Sequence, residues 1–284
     1  MTKEREVDGR CVRLTNLDKV LWPEAGFTKG DLLGYYERVA PALLPHLQGR
    51  PVTLRRFPDG VDGWNWYQHQ WPRGAPDWLP RVRRGRHDLL LIDGLAPLLF
   101  AANLAAVELH PLPGLDAPRA LVLDLDPGAP AGIEECCHVA LLLRERLAAA
   151  GLQSFPKTSG AVGLHVYVPL DSSHSFEETK AYARALARTL AAEHPELVVH
   201  TQRRSERAGR VLVDWLQNDG ARSTVAPYSL RAAPWPTVST PLTWEEVEGG
   251  GALVFLAGEI PARLAAHGEL FGPVLELEQR LPAT

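Results

Sequence analysis

Residues 120–128, with the sequence ALVLDLDPG, carry the clearest structural signal in this chain. An apolar run leads into an alternation of leucine and aspartate, which predicts a buried strand that ends in a Pro-Gly turn. A period of two puts Asp124 and Asp126 on one face of this strand, opposite the leucines. Neighbouring carboxylates repel each other and lose hydration, so a divalent cation is their natural partner, with two solvated aspartates at a strand end as the alternative.

The segments after this strand predict a recurring order of elements. Apolar residues spaced by three and four predict a helix over 133–151, and a serine-capped pattern predicts a second helix over 175–194. Extended pieces are predicted at 153–158, 163–169 and 211–215. The resulting βαββαβ order is that of a ferredoxin-like unit, so the predicted fold class is α+β.

The part of the chain before this unit predicts a second group of elements. Thr28 and Asp31 match a capping box at the start of a helix, and residues 51–57 indicate a strand. A mainly apolar run predicts a helix over 95–108. The Pro- and Gly-rich residues 111–119 mark the expected seam between the two parts.

The composition excludes several classes of protein. With 45% hydrophobic and 23% charged residues in 284, the chain is typical of a globular protein and not of long disorder. No apolar run approaches the roughly 20 residues of a transmembrane helix, and the charged N-terminus lacks a signal-peptide core. Three cysteines without disulfide or zinc spacing predict a reduced, cytoplasmic protein.

Charged residues are unevenly distributed along the chain. The net charge of −4 argues against a protein that coats nucleic acid without specificity. Two arginine clusters nevertheless stand out, at 81–86 and 203–210. Each fits either a solvated surface or a face that binds phosphate, because arginine offers a planar fork of donors. Charge alone leaves both interpretations open.

A third carboxylate lies in another apolar strand. Asp214 stands within VLVDW, residues 211–215, at a position where a hydrophobic residue is expected. If this strand lies beside the first, Asp214 joins Asp124 and Asp126 on one face. Three converging carboxylates can hold two ions about 3.5–4 Å apart, the spacing used for phosphoryl displacement. For Asp214 alone, an edge or bulge residue is the alternative.

The segment 157–167, KTSGAVGLHVY, completes a candidate site. Ser159 and the flanking glycines allow backbone N–H groups to approach a phosphate closely. His165 and Tyr167 share a strand face, and beside the carboxylates His165 can donate to a triphosphate oxygen. A histidine in a strand is more often structural, so this assignment depends on the three aspartates.

Several motifs occur together in the order of one known family, namely LTNLDKVLWP at 14–23, TKG at 28–30, DLDP at 124–127, SG and GLH within 159–165, and VDW at 213–215. Over about residues 13–244 the chain resembles the polymerase domain of bacterial ATP-dependent DNA ligase D, of the archaeo-eukaryotic primase superfamily. The resemblance fits either a stand-alone protein or a domain of a longer ligase.

The resemblance implies an α+β primase-polymerase fold, with a ferredoxin- or RRM-like βαββαβ catalytic unit and a packed N-terminal α/β subregion. Residues 1–284 would form a single catalytic domain. Its N-terminal subregion would reach to about residue 115, its catalytic subregion would span about 116–245, and a C-terminal helical extension would span about 246–284.

The activity implied is that of a template-dependent DNA/RNA polymerase that fills gaps and extends ends in non-homologous end joining, with a preference for ribonucleotides. Asp124, Asp126 and Asp214 would be the catalytic metal ligands and would hold two Mg²⁺ or Mn²⁺ ions. The implied partners are NTP or dNTP substrates, DNA with gaps or double-strand breaks and a 5′-phosphate, Ku and a DNA ligase. The implied location is cytoplasmic and nucleoid-associated, with no membrane contact.

The resemblance also implies roles for further residues. The predicted nucleotide-binding residues are Ser159, His165, His110, Arg231 and Gln217. The predicted ligands of a DNA 5′-phosphate are Lys19 and Lys29, for which a solvated lysine is the alternative, and the predicted template-stacking residues are Trp66 and Tyr67, for which core packing is the alternative. Many relatives have a lysine in the Ser-Gly turn, where this chain has Ala161-Val162.

Two other functions fit part of the pattern. A DxD glycosyltransferase would use Asp124 and Asp126 to hold a sugar nucleotide through one metal, but it leaves Asp214, Lys19 and Lys29 unexplained. A non-catalytic module that binds DNA ends would recruit repair partners, but it has no use for clustered carboxylates near a polyanion. Turnover of nucleotide sugars would identify the first, and DNA binding without nucleotide addition would identify the second.

Overall fold

The computed structural model describes residues 2–282. Its strands are, in chain order, β1 (Thr2–Val7), β2 (Arg10–Thr15), β3 (Val20–Trp22), β4 (Phe27–Thr28), β5 (Val52–Arg56), β6 (Trp66–Gln68), β7 (Arg81–Arg84), β8 (His87–Leu90), β9 (Ala106–Pro111), β10 (Ala120–Pro127), β11 (Phe155–Thr158), β12 (Leu164–Pro169), β13 (Val198–Val199), β14 (Val211–Asp214), β15 (Leu230–Ala232) and β16 (Pro236–Val238).

The α-helices are α1 (Lys29–Leu47), α2 (Leu95–Asn103), α3 (Ile133–Ala149), α4 (Phe176–Glu193), α5 (Trp244–Gly249), α6 (Ile260–His267) and α7 (Pro273–Glu276). Single 3₁₀ turns cover Arg204–Glu206 and Leu216–Asn218. No helix in the described part of the chain combines the length and the apolar character needed to cross a bilayer.

The chain forms two compact units, each assembled from separated segments. The first contains the residues up to Leu112 together with Ser223–Ser239 and Phe255–Gly268. At its centre β5 pairs antiparallel with β6 on one side and with β9 on the other. The helix α1 begins with the predicted capping box, in which Asp31 N donates to Thr28 Oγ1 and Thr28 N donates to Asp31 Oδ2. Its apolar face buries side chains such as Tyr35 against the core.

The main error of the sequence prediction concerns the secondary structure of the apolar run after residue 94. The helix was expected over 95–108, but α2 ends at Asn103 and β9 begins at Ala106. Ala105 between them adopts a left-handed conformation with φ of 57°, which reverses the chain. An apolar run of this kind fits a buried helix and a buried strand equally well, so periodicity could not place the break.

The second unit contains Pro113–Arg222, Thr240–Val254 and the residues from Glu269 onward. Its sheet has the order β11-β12-β10-β14-β13. All pairs are antiparallel except β13–β14, which is parallel. Without the short edge strand β13 this is the strand order of a ferredoxin-like unit, so the predicted βαββαβ unit is confirmed. The helices α3 and α4 pack against this sheet.

Candidate active site

Three aspartates from distant parts of the sequence lie on neighbouring strands of the second unit. Asp124 of β10 is the direct partner of Asp214 of β14 in the antiparallel register, and of His165 of β12 on its other side. Directly opposed residues of antiparallel strands point to the same face, with Cα atoms about 4.5–5.5 Å apart. Asp126 lies two residues further along β10 and so shares that face. The structure therefore brings together the three side chains that the sequence analysis singled out.

Polar contacts engage the carboxylates of Asp124 and Asp214. His165 Nε2 lies 3.2 Å from Asp124 Oδ1, and Gln217 Nε2 donates to Asp124 Oδ2 at 3.2 Å. Asp214 Oδ1 accepts a hydrogen bond of 2.9 Å from the backbone N–H of Leu216. Gln217 belongs to the 3₁₀ turn that follows β14, so one short segment carries both Asp214 and the amide that contacts Asp124.

The electrostatics of this face favour a bound cation. Burial raises the pKa of Asp214, and the nearby charge of Asp124 raises it further, although the N–H of Leu216 and two arginines act in the opposite direction. A raised carboxyl pKa means that negative charge here is incompletely compensated. Within residues 2–282 no three His, Cys, Asp or Glu side chains are already gathered as a finished ion-binding group. The carboxylate oxygens nevertheless form a hard donor set of the kind that Mg²⁺ and Mn²⁺ prefer.

The Ser-Gly turn lies between β11 and β12 and is closed on itself. Ser159 Oγ accepts hydrogen bonds from the N–H groups of Ala161 at 3.2 Å and Gly163 at 3.1 Å. A Cβ at Gly163 would lie only 2.0 Å from the carbonyl oxygen of Leu125, so only glycine allows the turn to approach β10 this closely. Val162, which stands in the turn where by the family resemblance many relatives have a lysine, is exposed at its tip. The geometry thus fixes Ser159 next to the end of the aspartate strand.

A buried glutamate organises a second polar cluster, in the first unit. Glu108 of β9 is only 1% exposed and contacts two of the predicted nucleotide-binding residues. His110 Nε2 lies 2.7 Å from Glu108 Oε2, and Arg231 Nη1 lies 3.4 Å from the same oxygen. On the other oxygen, Arg55 Nη1 lies at 3.1 Å and the N–H of Ala232 at 3.0 Å. We call these residues the Glu108 cluster.

The charges of the Glu108 cluster are strongly coupled. Burial alone would raise the pKa of Glu108, but the hydrogen bond from His110 and the charge of Arg231 outweigh it and hold this pKa at about 2. Burial lowers the pKa of His110, and the charges of Arg231 and Arg55 lower it further against the opposing effect of Glu108. The cluster is therefore built around an ionised carboxylate that is removed from water.

The sequence analysis missed Glu108 and Arg55. The signal was present, because the alternation in AVELHP, residues 106–111, puts Glu108 and His110 on one face of a strand. The predicted helix over 95–108 concealed it. Arg55 becomes visible only through the register of β5 with β9, which pairs it directly with Glu108.

The two predicted phosphate-binding lysines lie together at the start of α1. The N–H of Lys29 donates to the carbonyl oxygen of Lys19 at 2.8 Å. Lys29 is only 5% exposed, and its Nζ donates to the carbonyl and hydroxyl oxygens of Thr15 at 2.6 and 3.2 Å. Burial, with the charges of Lys19 and Arg56, lowers the pKa of Lys29 to about 8. Lys19 is more exposed and lies 3.1 Å from Asp59 Oδ1.

The predicted aromatic pair is divided between two faces of one sheet. Trp66 and Tyr67 are consecutive in β6, so their side chains point in opposite directions. The guanidinium carbon of Arg56 lies 4.6 Å from the ring centre of Trp66, and that of Arg55 lies 5.3 Å from the ring centre of Tyr67. Tyr67 also contacts His110 edge to face at 5.5 Å. Tyr67 thus lies with the Glu108 cluster, and Trp66 does not.

Comparisons with known proteins agree on one family. A family model described as the LigD primase-polymerase domain matches residues 28–271. The multifunctional non-homologous end joining DNA repair protein LigD of Mycobacterium tuberculosis is 40% identical over 91% of this chain, and the bifunctional LigD of Bacillus subtilis is 31% identical over 84%. The chain spans only 36% and 39% of the length of these two relatives.

A solved structure gives the same result. The polymerase domain of Mycobacterium tuberculosis ligase D in complex with DNA superposes with a TM-score of 0.89 at 38% identity, and the match covers 94% of this chain and 99% of that domain. The predicted fold and resemblance are confirmed, and the glycosyltransferase alternative is wrong. Polymerase domains of this family are metal-dependent nucleotidyltransferases. This chain belongs to the LigD primase-polymerase domain family and is a nucleotidyltransferase of the primase-polymerase type.

Proposed function

We propose that this chain is a template-dependent polymerase that fills gaps and extends DNA ends in non-homologous end joining, with a preference for ribonucleotides. The observation that supports it best is the register that sets Asp124 directly beside Asp214, with Asp126 on the same face. Its proposed partners are broken or gapped DNA, Ku and a DNA ligase, and its proposed place is the nucleoid in the cytoplasm.

In the proposed reaction the 3′-oxygen of the primer forms a bond to the α-phosphorus of a nucleotide while the bond to pyrophosphate breaks. Two divalent ions held by Asp124, Asp126 and Asp214 would lower the pKa of the 3′-hydroxyl and neutralise charge at the α-phosphate. The carboxylates would exchange their present contacts with Gln217 and Leu216 for the ions. Mg²⁺ and Mn²⁺ both suit these ligands.

Other residues of the second unit would hold the triphosphate. His165 contacts Asp124, so a phosphate that binds His165 also lies beside the carboxylates. Ser159 belongs to a turn that Gly163 holds against β10. With Val162 at the tip of this turn, the triphosphate would lack the lysine that many relatives use there.

In the first unit, we propose His110 and Arg231 of the Glu108 cluster as nucleotide-binding residues. Its negative charge fixes His110 and Arg231 in place. The Nε of Arg231 is buried and has no hydrogen-bond partner among residues 2–282, which leaves a donor for a bound ligand.

We propose that Lys19 and Lys29 bind the 5′-phosphate at the far side of a gap. A phosphate dianion favours the protonated amine, and the pKa of Lys29 in the free protein is about 8. The preference for a 5′-phosphorylated end over a 5′-hydroxyl end should therefore be greatest below pH 8 and fall by up to about tenfold per pH unit above it. The ratio of the two dissociation constants between pH 7 and 9.5 measures this effect.

Lys29→Met should weaken the preference, because Lys19 remains, and should abolish its pH dependence between pH 7 and pH 9.5. Lys3→Met, which removes an exposed lysine from β1, is the matched control and should change neither. A preference in the unaltered protein that stays constant from pH 7 to pH 9.5 would contradict the assignment of Lys29.

The experiment that tests the proposed function is extension of a primer across a gapped duplex, with each NTP and each dNTP, in Mg²⁺ and in Mn²⁺. We expect addition of the nucleotide complementary to the template, with ribonucleotides used more efficiently. Addition without regard to the template, or no addition in either metal, would overturn the proposal. A preference for dNTPs would overturn only its ribonucleotide part.

A further inference from the structure

An exposed tryptophan next to the predicted aromatic pair has a supported ring. Trp64 is 67% exposed, and its ring stacks on that of Trp66 with 4.4 Å between centres and 25° between planes. Single exposed apolar side chains are common and need no explanation. A large indole held flat on a second indole is different, because one of its faces is covered and the rest is presented to solvent in a fixed orientation.

The ring beneath Trp64 is itself fixed to the sheet. Trp66 of β6 pairs with Arg56 of β5, and the guanidinium carbon of Arg56 lies 4.6 Å from the Trp66 ring centre. Arg56 in turn donates to the carbonyl oxygen of Leu104 at 2.9 Å and to Gln68 Oε1 at 2.7 Å. Arg56, Trp66 and Trp64 therefore form one ordered group, which we call the tryptophan platform.

The backbone that carries Trp64 is also held in place. The N–H of Gly63 donates to the carbonyl oxygen of Gly60 at 3.0 Å, and that of Val61 donates to the carbonyl oxygen of Leu21 at 2.8 Å. A Cβ at Gly63 would lie 2.9 Å from the Cβ of Asp59, so this close approach requires glycine. The ring of Trp64 is thus largely ordered before any ligand binds, which lowers the entropic cost of binding.

The tryptophan platform adjoins the two lysines that we propose as phosphate ligands. Asp59, whose Cβ lies 2.9 Å from the point where a Cβ on Gly63 would stand, also pairs with Lys19. Arg56 is close enough for its charge to act on Lys29. A cationic pocket for a terminal phosphate and a fixed aromatic face thus share one part of the first unit. That combination suits the edge of a gap in a duplex, where a terminal phosphate on one strand lies beside an unpaired base on the other.

We propose that Trp64 stacks on an unpaired DNA base next to the 5′-phosphate held by Lys19 and Lys29. This inference rests on the proposed function, and it assigns the open stacking surface of this face to Trp64, with Trp66 as its support. Tryptophan suits the role because every base has a π face, so stacking adds affinity without fixing the sequence. The ligand is therefore single-stranded at this point and of any sequence.

The test uses a gapped duplex with a downstream 5′-phosphate and 2-aminopurine at the unpaired template position beside it. Binding is measured without nucleotide, so that the result does not depend on catalysis. The unaltered protein should quench the probe as its base stacks on the indole. Trp64→Ala should remove the quenching and weaken binding by about 5- to 150-fold, whereas Trp64→Phe should retain most of both.

Trp235→Ala is the matched control, because Trp235 is a 50% exposed tryptophan of the same unit and belongs to neither proposed site. It should leave binding and quenching unchanged. Unfolding of each variant in urea checks that the fold is intact, and Trp64→Phe keeps the test decisive if the alanine variant is unstable. Binding by Trp64→Ala within about twofold of the unaltered protein, with full quenching, would overturn the inference.

The failure of this inference can be distinguished from that of the proposed function. If the unaltered protein fills gaps and Trp64→Ala binds and quenches normally, only the stacking assignment is wrong. If the unaltered protein adds no nucleotide but loses quenching on Trp64→Ala, the platform binds DNA and the proposed polymerase activity is wrong.

Discussion

Asp124→Asn should reduce nucleotide addition by at least about 10³-fold, because it removes the negative charge of the aspartate that lies beside both Asp214 and Asp126. Asparagine keeps the size of the side chain and can still contact Gln217, so the sheet should fold as before. It cannot supply the negative charge that two ions need, and Asp214 and Asp126 alone would hold them weakly. Single-turnover extension of a gapped duplex in Mg²⁺ and in Mn²⁺ measures the loss.

Binding of the gapped DNA should survive the same change, because the proposed DNA ligands are other residues. Asp116→Asn, an exposed aspartate of the same unit, is the matched control and should leave extension within about twofold. Asp214→Asn should reproduce the loss seen with Asp124→Asn. Extension by Asp124→Asn or by Asp214→Asn at the rate of the unaltered protein would show that the three aspartates are not the catalytic centre.

Glu108→Gln should lower the free energy of unfolding by about 3 kcal/mol at pH 7, which follows from a carboxyl pKa of about 2 in the folded state and an ordinary value when unfolded. The neutral amide leaves the partly buried guanidinium groups of Arg55 and Arg231 without their counterion. Because the folded pKa is lowered, the stabilisation is fully present above the unfolded pKa of about 4.3. It is lost progressively as the pH falls toward 2.

Urea unfolding of both proteins across pH 2–8 tests this expectation. The difference in the free energy of unfolding between the unaltered protein and Glu108→Gln should be constant above about pH 5.5 and should become smaller below pH 4.5. Glu24 is an exposed glutamate of the same unit, so Glu24→Gln is the control for general destabilisation by acid. Its free energy of unfolding should equal that of the unaltered protein at each pH. If the difference in unfolding free energy between the unaltered protein and Glu108→Gln stayed constant down to pH 2, Glu108 would carry no buried charge.

The sequence was sufficient for the fold of the second unit because its elements have clear periods. Helices predicted over 133–151 and 175–194 are found as α3 and α4, each within two residues of the predicted ends. Asp124 and Asp126 could be predicted to share a face because leucine and aspartate alternate at the end of β10, and Asp214 stood out as the one charged residue of an otherwise apolar strand. Their meeting required only that the two strands be neighbours, which the ferredoxin-like order supplies.

The rest of the site could not be predicted, because it depends on register. The side chains of Trp66 and Tyr67 point to opposite faces because both residues lie in strand β6. This strand has only three residues, so its sequence shows no alternation from which it could be predicted. The burial of Lys29 depends on Thr15, fourteen residues away, and a lysine at a helix start gives no sign of it. Glu108 gained its partners from β5 and β15, so no local pattern identified it as the centre of a cluster.

Each of the two units is built from three separated pieces of polypeptide. A cut near Leu112 would leave the N-terminal part without β15, β16 and α6, which complete the first unit, whereas the C-terminal part would keep every piece of the second unit. The N-terminal part alone could therefore not be exchanged between genes as an independent module. A gene fusion that keeps the first unit intact has to carry this chain at least as far as Gly268, and it then includes most of the second unit as well.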